Sequence, residues 1–340
     1  MGATLTPEEA DAIAREHDAQ MKPRAPSLRS LRGALANKSA QLFVRARHAL
    51  NGGHRIISDG TTAETVSELT SPALTRVLEN RSCALVVRGF GSKETCDLLA
   101  DWMLEKCHFE KWEQSSRGVD DLSDMFYGVG IPVTAVTESR ERCVAYFDDA
   151  LPTMRRLRAA AGGRLTPVDQ LRLELDEVWP HGASVRVDPV YRRKMLAGLG
   201  RLMRPDGMVG DETSRTRGII HTDASPFIDA DAGLFTANVY LRTPSGGGEL
   251  DVWPVAPARL DSMVLGDHLQ HSFDPKNRER TQRALRSALP EPCTIAVGPG
   301  DLVIFNSGRP HAVRGFTEGR RVTVQSFIDY SRAQPLTLYS

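Results

Sequence analysis

The sequence lacks the features that mark a membrane protein or a disulfide-rich secreted domain. No apolar run approaches the roughly eighteen residues that a membrane-spanning helix needs, and the acidic first twenty residues do not resemble a signal peptide. The five cysteines are odd in number and widely spaced, with no Cys-x-x-Cys pair. Since disulfide and zinc frameworks use closely patterned cysteines, we expect reduced thiols and a cytoplasmic protein.

The sequence also lacks an excess of charge of either sign. Lysine plus arginine and aspartate plus glutamate both number 43, so no overall field attracts nucleic acid or an anionic membrane. One local exception is the segment 22–58, which holds eight Lys or Arg and no acidic residue. This basic arm is either a phosphate-binding run or an amphipathic helix. Without an aromatic stacking platform or a nucleic-acid motif, the helix is favoured and nucleic-acid binding is disfavoured.

The patterning of the chain changes twice. A capped helix is predicted at 6–19, ahead of the basic arm. From residue 82, a buried strand at 83–87, a glycine turn and an amphipathic helix begin a domain core. After Pro205 the pattern is almost wholly β. Helices are predicted at 92–104, 138–161 and 166–178, and a strand with a turn at 126–136. Strands are predicted at 217–222, 234–242, 249–253, 293–297, 301–305 and 321–328, while 183–204 fits either type.

Many short strands joined by tight turns indicate a sandwich or a jelly roll. We divide the chain into an N-terminal helical arm, residues 1–81, and a domain, residues 82–340. The domain carries two insertions, at about 138–205 and 256–290. Insertions between strands commonly form lids or loops that face a substrate.

A candidate metal site begins at His221-Thr222-Asp223. Alternate side chains of a strand point to one face, so His221 and Asp223 are predicted to lie together. His311, in Arg309-Pro310-His311, can complete the set from a distant strand. Two histidines and one carboxylate on one side of a metal, with other positions open, is the arrangement of non-haem Fe(II) and O2 chemistry. Since His-x-Asp alone is common by chance, its surroundings decide the interpretation.

The other histidines are weaker candidates for metal ligands. His268 and His271 have a spacing that suits a metal site on a helix, but no third ligand accompanies them, so we assign them to a surface or lid. Isolated histidines are assigned structural or exposed positions: His17, His48, His54, His108 and His181.

The order of further segments around the His-x-Asp pair is specific. It is followed by the strand 234–241, Gly246-Gly-Gly-Glu249, Gly300-Asp-Leu-Val-Ile-Phe305, His311 and Gly319-Arg320-Arg321. Over roughly residues 82–335 the chain resembles the Fe(II)- and 2-oxoglutarate-dependent dioxygenases, specifically their prolyl-4-hydroxylase-like branch. The resemblance implies an α+β protein with a double-stranded β-helix (jelly-roll) core, flanking helices and an N-terminal helical arm.

The same resemblance implies that His221, Asp223 and His311 bind Fe(II), with 2-oxoglutarate and O2 as co-substrates. Related halogenases have Gly or Ala in place of the carboxylate. The presence of Asp223 therefore favours hydroxylation, desaturation or ring closure over halogenation.

The resemblance further implies a basic residue after the second histidine, here Arg321, that pairs with the distal carboxylate of 2-oxoglutarate. A guanidinium offers a carboxylate two parallel hydrogen bonds. Thr323 stands where the family often has Ser or Thr, and alternation predicts that Arg320 faces outward. Asn238 and Tyr240 share the polar face of the strand 234–242. They are either hydrogen-bond partners of 2-oxoglutarate or substrate, or a structural polar pair.

These implications favour an oxygenase that releases succinate and CO2 while it hydroxylates, or otherwise oxidises, an unactivated C–H bond. We expect a small polar substrate, a free amino acid or related metabolite, since the insertions are long enough to enclose one. Two alternatives stay open: a protein or peptide (prolyl-type) hydroxylase that docks through 22–58, and a catalytically silent jelly-roll binding module. The complete set of metal ligands with Arg321 argues against the silent module.

Overall fold

The computed structural model describes residues 60, 62–106, 110–111, 127–205, 212–223, 233–255, 272 and 276–340. Several predictions lie outside these residues: the helix at 6–19, the basic arm at 22–58, and the histidines His17, His48, His54, His108, His268 and His271.

The chain divides into two compact units. The first comprises residues 1–54 with 187–194, and the second comprises residues 55–186 with 195–340. Of the first unit only 187–194 are described, and there Val187 and Lys194 pair in an isolated antiparallel bridge.

The second unit contains thirteen described strands and seven described helices. The strands are β1 Ala63–Val66, β2 Ala84–Val87, β3 Glu110–Lys111, β4 Tyr127–Val129, β5 Ala183–Val185, β6 Leu199–Met203, β7 Gly233–Arg242, β8 Leu250–Val252, β9 Cys293–Ile295, β10 Leu302–Asn306, β11 His311–Val313, β12 Arg321–Tyr330 and β13 Leu336–Tyr339. The helices are α1 Ser71–Leu78, α2 Lys93–Lys106, α3 Ala135–Glu138, α4 Arg140–Ala160, α5 Pro167–Val178, α6 Glu212–Arg217 and α7 Arg278–Ala288.

The strands form two sheets. The large sheet has ten strands in the order β1-β2-β10-β7-β12-β6-β4-β3, with β13 beside β12 and β5 beside β13. The small sheet has the order β11-β8-β9. At the centre of the large sheet, β7 and β12 are ten residues long each and run antiparallel. This arrangement of a large sheet with helices confirms the α+β prediction.

An apolar cluster joins the two sheets. Alternate residues of a strand point to one face, and the inward residues of β2, β7 and β10 meet those of β8 and β9. Burial of each large apolar side chain contributes about 1.5–3 kcal/mol relative to exposure. The cluster consists of Cys83, Ala84, Val86, Tyr240, Leu250, Val252, Ile295, Val303 and Phe305.

The helices begin at the capping residues that the sequence offers. The Thr166 hydroxyl accepts a hydrogen bond from the Asp169 N–H at 3.0 Å, and Pro167 occupies the first turn of α5. The Ser92 hydroxyl does the same for Thr95 at the start of α2, at 3.2 Å. The predictions at 92–104, 138–161 and 166–178 are therefore confirmed as α2, α4 and α5. Among the described helices, none has the length and apolarity that a bilayer crossing demands.

Other expectations met a different outcome. The predicted strand at 217–222 is wrong, because α6 occupies Glu212–Arg217 and the chain then turns at Gly218, whose φ is +73°. In the segment 126–136, predicted as a strand and a turn, Tyr127–Val129 forms the strand, and the short helix α3, which was not predicted, begins at Ala135. The ambiguous segment 183–204 contains β5 and β6. The predicted boundary at residue 82 falls between α1 and β2, and β1 pairs in parallel with β2.

Candidate metal and co-substrate site

Three of the predicted site residues, His221, Asp223 and His311, lie together. One possible ligand atom from each lies within 4.8 Å of the others. The two imidazole centroids are 4.2 Å apart, and Nε2 of His311 is 3.8 Å from Oδ2 of Asp223. Bonds of about 2 Å to a common ion bring donor atoms to within about 4 Å of one another, so small movements would let the three groups share one ion.

Backbone hydrogen bonds hold the two ligand segments side by side. His221 donates to the His311 carbonyl at 3.0 Å, and His311 donates back to the His221 carbonyl at 2.9 Å. The Asp223 N–H donates to the Ser307 carbonyl at 2.9 Å. His311 itself begins β11 and pairs with Val252 of β8. A single bridge thus brings the three side chains together, where we had expected a regular strand.

Helix α7 supports the first ligand segment from its other side. Gln282, which is 2% exposed, accepts from the Ile220 N–H at 2.8 Å and donates to the Ile220 carbonyl at 3.0 Å. Its amide thereby makes both hydrogen bonds that a neighbouring strand would supply. Arg286 of the same helix donates to the Gly218 carbonyl. The sequence offered only a weak signal for this role, a glutamine within a charged, partly helical insertion.

The protonation of both imidazoles is set by main-chain carbonyls. Nδ1 of His221 lies 2.9 Å from the Ile219 carbonyl, and Nδ1 of His311 lies 2.9 Å from the Arg309 carbonyl. Since a carbonyl only accepts, Nδ1 carries the proton in each ring and Nε2 keeps its lone pair for a metal. Burial lowers the pKa of His221 to about 4, helped by the neighbouring His311 and opposed by Asp223. The His221 ring is therefore neutral at physiological pH.

Arg321 is buried at the start of β12. It is 6% exposed, whereas Arg320 is exposed, which agrees with the predicted alternation. Its Nη2 donates to the Tyr240 hydroxyl at 3.1 Å, and its Cζ lies 4.9 Å from the centre of the Tyr240 ring. Its Nη1 is 3.3 Å from Sδ of Met203. Thr323 lies opposite Tyr240 in the strand register. The predicted co-substrate residues therefore share one region of the sheet.

The polar face of β7 continues beyond Tyr240. Asn238 is buried and lies opposite Gln325 of β12. Nε2 of Gln325 donates to the Thr236 hydroxyl at 2.9 Å. Asn238 thus lies on the same polar face of β7 as Tyr240. On that face, Thr236 is hydrogen-bonded to Gln325.

One residue of this region was missed by sequence reasoning. Arg201 of β6 lies opposite Thr323 and is half-buried. Burial lowers the pKa of its guanidinium to about 10, Asp223 opposes this shift and Arg321 adds to it. Arg201 therefore stays protonated at neutral pH and is close enough to both groups for their charges to act on it. Its segment fitted either a strand or a helix, so no face could be assigned to it.

Sequence comparisons do not place the chain. No protein-family model matches the sequence, and no curated protein sequence matches it. Structural comparison is informative. A structure of an N-substituted L-amino acid dioxygenase from Burkholderia ambifaria AMMD superposes with a TM-score of 0.50 and 14% sequence identity, over 80% of this chain and 92% of that chain. The chain shares the fold of this dioxygenase.

Two further structures are similar at lower scores. The same Burkholderia enzyme in complex with alpha-KG gives a TM-score of 0.49 and 13% identity, over 79% of this chain and 91% of that one. A Pseudomonas putida prolyl-4-hydroxylase gives 0.34 and 14%, over 78% of this chain and 100% of that one. Of these three matches, only the one with a TM-score of 0.50 supports the fold. At the level of the fold, the predicted resemblance is confirmed.

Proposed function

We propose that the chain is an Fe(II)- and 2-oxoglutarate-dependent oxygenase, and that its two sheets are the halves of a double-stranded β-helix (jelly roll). The observation that carries this proposal is the convergence of His221, Asp223 and His311 within 4.8 Å. When bound, Fe(II) with 2-oxoglutarate and O2 supplies an oxidising chemistry that side chains lack, with succinate and CO2 as co-products.

The donor set fits Fe(II). The two imidazoles would bind through Nε2, since each Nδ1 faces a main-chain carbonyl. A His221 ring that is already neutral loses no proton on binding. Asp223 completes a set of two histidines and one carboxylate, which leaves other positions of the ion open. As a carboxylate, it favours hydroxylation, desaturation or ring closure over halogenation.

Arg321 and Tyr240 would hold the distal carboxylate of 2-oxoglutarate. The guanidinium is buried, and the Tyr240 hydroxyl lies 3.1 Å from its Nη2. Charge-assisted hydrogen bonds of this kind are about twice as strong as neutral ones. Thr323 and Asn238 lie in the same region and are candidate hydrogen-bond partners of 2-oxoglutarate or of the substrate.

We propose a small polar substrate, a free amino acid or related metabolite. The structure that shares the fold acts on N-substituted L-amino acids by its description, which supports this class. Hydroxylation of a protein or prolyl peptide through the basic arm at 22–58 stays the alternative prediction. The division into an arm (1–81) and an oxygenase domain (82–340), and the cytoplasmic location, are likewise proposals.

A spectroscopic experiment tests the proposed function. Anaerobic addition of Fe(II) and 2-oxoglutarate should produce the weak visible charge-transfer band of the chelate. Arg321→Ala should weaken 2-oxoglutarate binding about 10- to 100-fold, because hydrogen bonds to charged groups contribute about 1.5–3 kcal/mol. Arg320→Ala is the matched control and should change the affinity little. A wild-type protein without the band would refute the oxygenase.

Substrate class requires a second measurement. Succinate release should be assayed over free amino acids, N-substituted amino acids and short prolyl peptides. Asp223→Gly should abolish the coupled oxidation. Release stimulated only by peptides would favour the alternative prediction.

A further inference from the structure

Two cysteines that are far apart in the sequence meet where the large and small sheets pack together. Cys83 directly precedes β2 of the large sheet, and Cys293 begins β9 of the small sheet. Cys83 belongs to the apolar cluster that joins the sheets, and Cys293 packs against that cluster. Their thiols share a hydrogen bond, and both are free cysteines. A bond between these two sulfurs would therefore connect the two sheets covalently.

The main chain holds both sulfurs in place. Sγ of Cys83 lies 3.6 Å from the Val252 carbonyl oxygen, and Val252 lies opposite Cys293 in the register of β8 and β9. The Cys83 N–H donates to the Thr62 carbonyl at 3.0 Å, and the Ala63 N–H donates to the sulfur of Cys293. Because both cysteines are tied to neighbouring backbone, their sulfurs stay side by side in the folded protein.

The two thiols differ in exposure and in acidity. Cys83 is fully buried, whereas Cys293 is half-buried. The hydrogen bond from Cys83 lowers the pKa of the Cys293 thiol, and the same bond together with burial raises the pKa of Cys83. Since the thiolate is the nucleophile, Cys293 is the accessible and reactive member of the pair. Cys96 is a contrast, because burial raises its pKa to about 11.

We propose that Cys83 and Cys293 form a site of reversible oxidation by hydrogen peroxide, which joins them in a disulfide across the two sheets. Intracellular disulfides are commonly of this transient, redox-sensing kind. No step uses the metal site, so the proposal goes beyond the proposed function and is independent of it.

The oxidation takes two steps. The Cys293 thiolate attacks one oxygen of the peroxide, the O–O bond breaks, and the departing hydroxide takes up a proton to become water, which leaves Cys293 as a sulfenic acid. The sulfur of Cys83 then attacks the sulfur of Cys293, and the hydroxyl leaves with the Cys83 proton as a second water. The two sulfurs lose two electrons in total, and the peroxide gains them.

The disulfide would stabilise the packing of the sheets. It would close a loop of roughly two hundred residues, and a cross-link that closes a long loop restricts the unfolded chain. We expect the thermal midpoint of the oxidised protein to lie about 5 °C above that of the reduced protein.

The test oxidises the full-length protein with hydrogen peroxide at neutral pH, with a chelator present to prevent iron-catalysed oxidation. The protein should lose two of its five thiols, and peptide mass mapping should find Cys83 linked to Cys293. Dithiothreitol should restore both thiols and lower the thermal midpoint again. Iodoacetamide added before the peroxide should label Cys293 ahead of Cys83 and prevent the cross-link.

Three variants locate the reaction. Cys293→Ser and Cys83→Ser should each block the cross-link, and Cys96→Ser, the matched control, should form it as the wild type does. Since Cys83 lies in the core, the peptide map of the wild type is the deciding measurement if Cys83→Ser does not fold. The proposal is overturned if all five thiols survive a peroxide treatment that oxidises added glutathione, or if other cysteines or two molecules become linked. A sulfinic acid at Cys293 beside an unreacted Cys83, or a disulfide that leaves the thermal midpoint unchanged or lowers it, would overturn it as well.

Discussion

The two histidines of the site reach the same point from backbones of different kinds. His311 begins β11, whose three residues pair in register with β8. His221 follows Gly218 in a stretch whose hydrogen bonds are completed by helix side chains, chiefly Gln282. A strand neighbour supplies hydrogen bonds from main-chain atoms, which point substitutions leave in place. A glutamine supplies them from one side chain, so the first segment is more vulnerable to substitution than the second.

The largest effect is expected from Gly218→Ala. Gly218 has a φ of +73°, and an added Cβ would lie 2.0 Å from the Val313 carbonyl oxygen. A non-glycine residue in this region costs about 1–2 kcal/mol, and a clash with backbone has no easy relief. We expect this variant to lose Co(II) binding, which visible absorption would measure. Gly163→Ala is the control, because its φ is +81° and nothing lies within 4 Å of its added Cβ. Equal Co(II) affinity in both variants would contradict the prediction.

Gln282→Leu should have the next largest effect. Leucine is similar in size but leaves the Ile220 N–H and carbonyl without the bonds that Gln282 makes. Each unsatisfied buried group costs about 1–3 kcal/mol. We expect Co(II) affinity to fall about tenfold or more, as the segment before His221 loosens.

Two further variants test the cause of that loss. Gln282→Glu, which keeps an acceptor for the Ile220 N–H, should be less impaired than Gln282→Leu. Gln170 lies in α5, and Gln170→Leu removes the hydrogen bond that its side chain donates to the Phe90 carbonyl. This variant should leave Co(II) binding unchanged. The interpretation fails if Gln170→Leu and Gln282→Leu weaken binding equally.

A smaller effect is expected on the strand side. Arg314 follows β11 and donates to Asp251 at 2.9 Å and to the Thr294 hydroxyl at 2.8 Å. Because main-chain pairing with β8 holds His311, Arg314→Met should change Co(II) affinity by less than about threefold, although it removes a charged pair. A loss as large as that of Gln282→Leu would show that the two segments depend on side chains equally.

The smallest effect concerns the pH dependence of the metal-free protein. The pKa of His221 is lowered from 6.5 to about 4 by burial. The unfolded chain therefore binds more protons than the folded one between these values, so this residue makes the free energy of unfolding decrease as the pH falls from 6.5 toward 4. Urea unfolding at pH 7 and pH 5 should show a smaller decrease in His221→Gln than in the wild type. An equal decrease in both proteins would count against the assignment.

The sequence predicted the features that depend on neighbouring residues and missed those that depend on residues far apart in the chain. Alternation along single strands separated Arg321 from Arg320, and capping residues located α2 and α5 closely. The strand at 217–222 failed because an apolar run after a glycine was read without its partner. Gln282 and Ile220 are 62 residues apart in sequence. No local pattern predicts that a side-chain amide of a helix completes the hydrogen bonds of so distant a segment.

Arg201 was missed for a related reason. Its significance depends on Thr323 lying opposite it, and that pairing joins strands far apart in the chain. A local run of Leu-Gly-Arg-Leu-Met fits a helix or a strand equally, so its face became defined only with the sheet. Residues whose partners are set by sheet register are the ones that sequence patterns locate least well.

The bridge between His221 and His311 also concerns folding. An ion held by both histidines would close a loop of about ninety residues, which contains β7 to β10, and would act as a cross-link between its ends. Because the unfolded chain does not hold these ends together, the ion would bind the folded state preferentially and raise the thermal midpoint with its concentration. The metal would then stabilise the packing of the sheets in addition to supplying the chemistry.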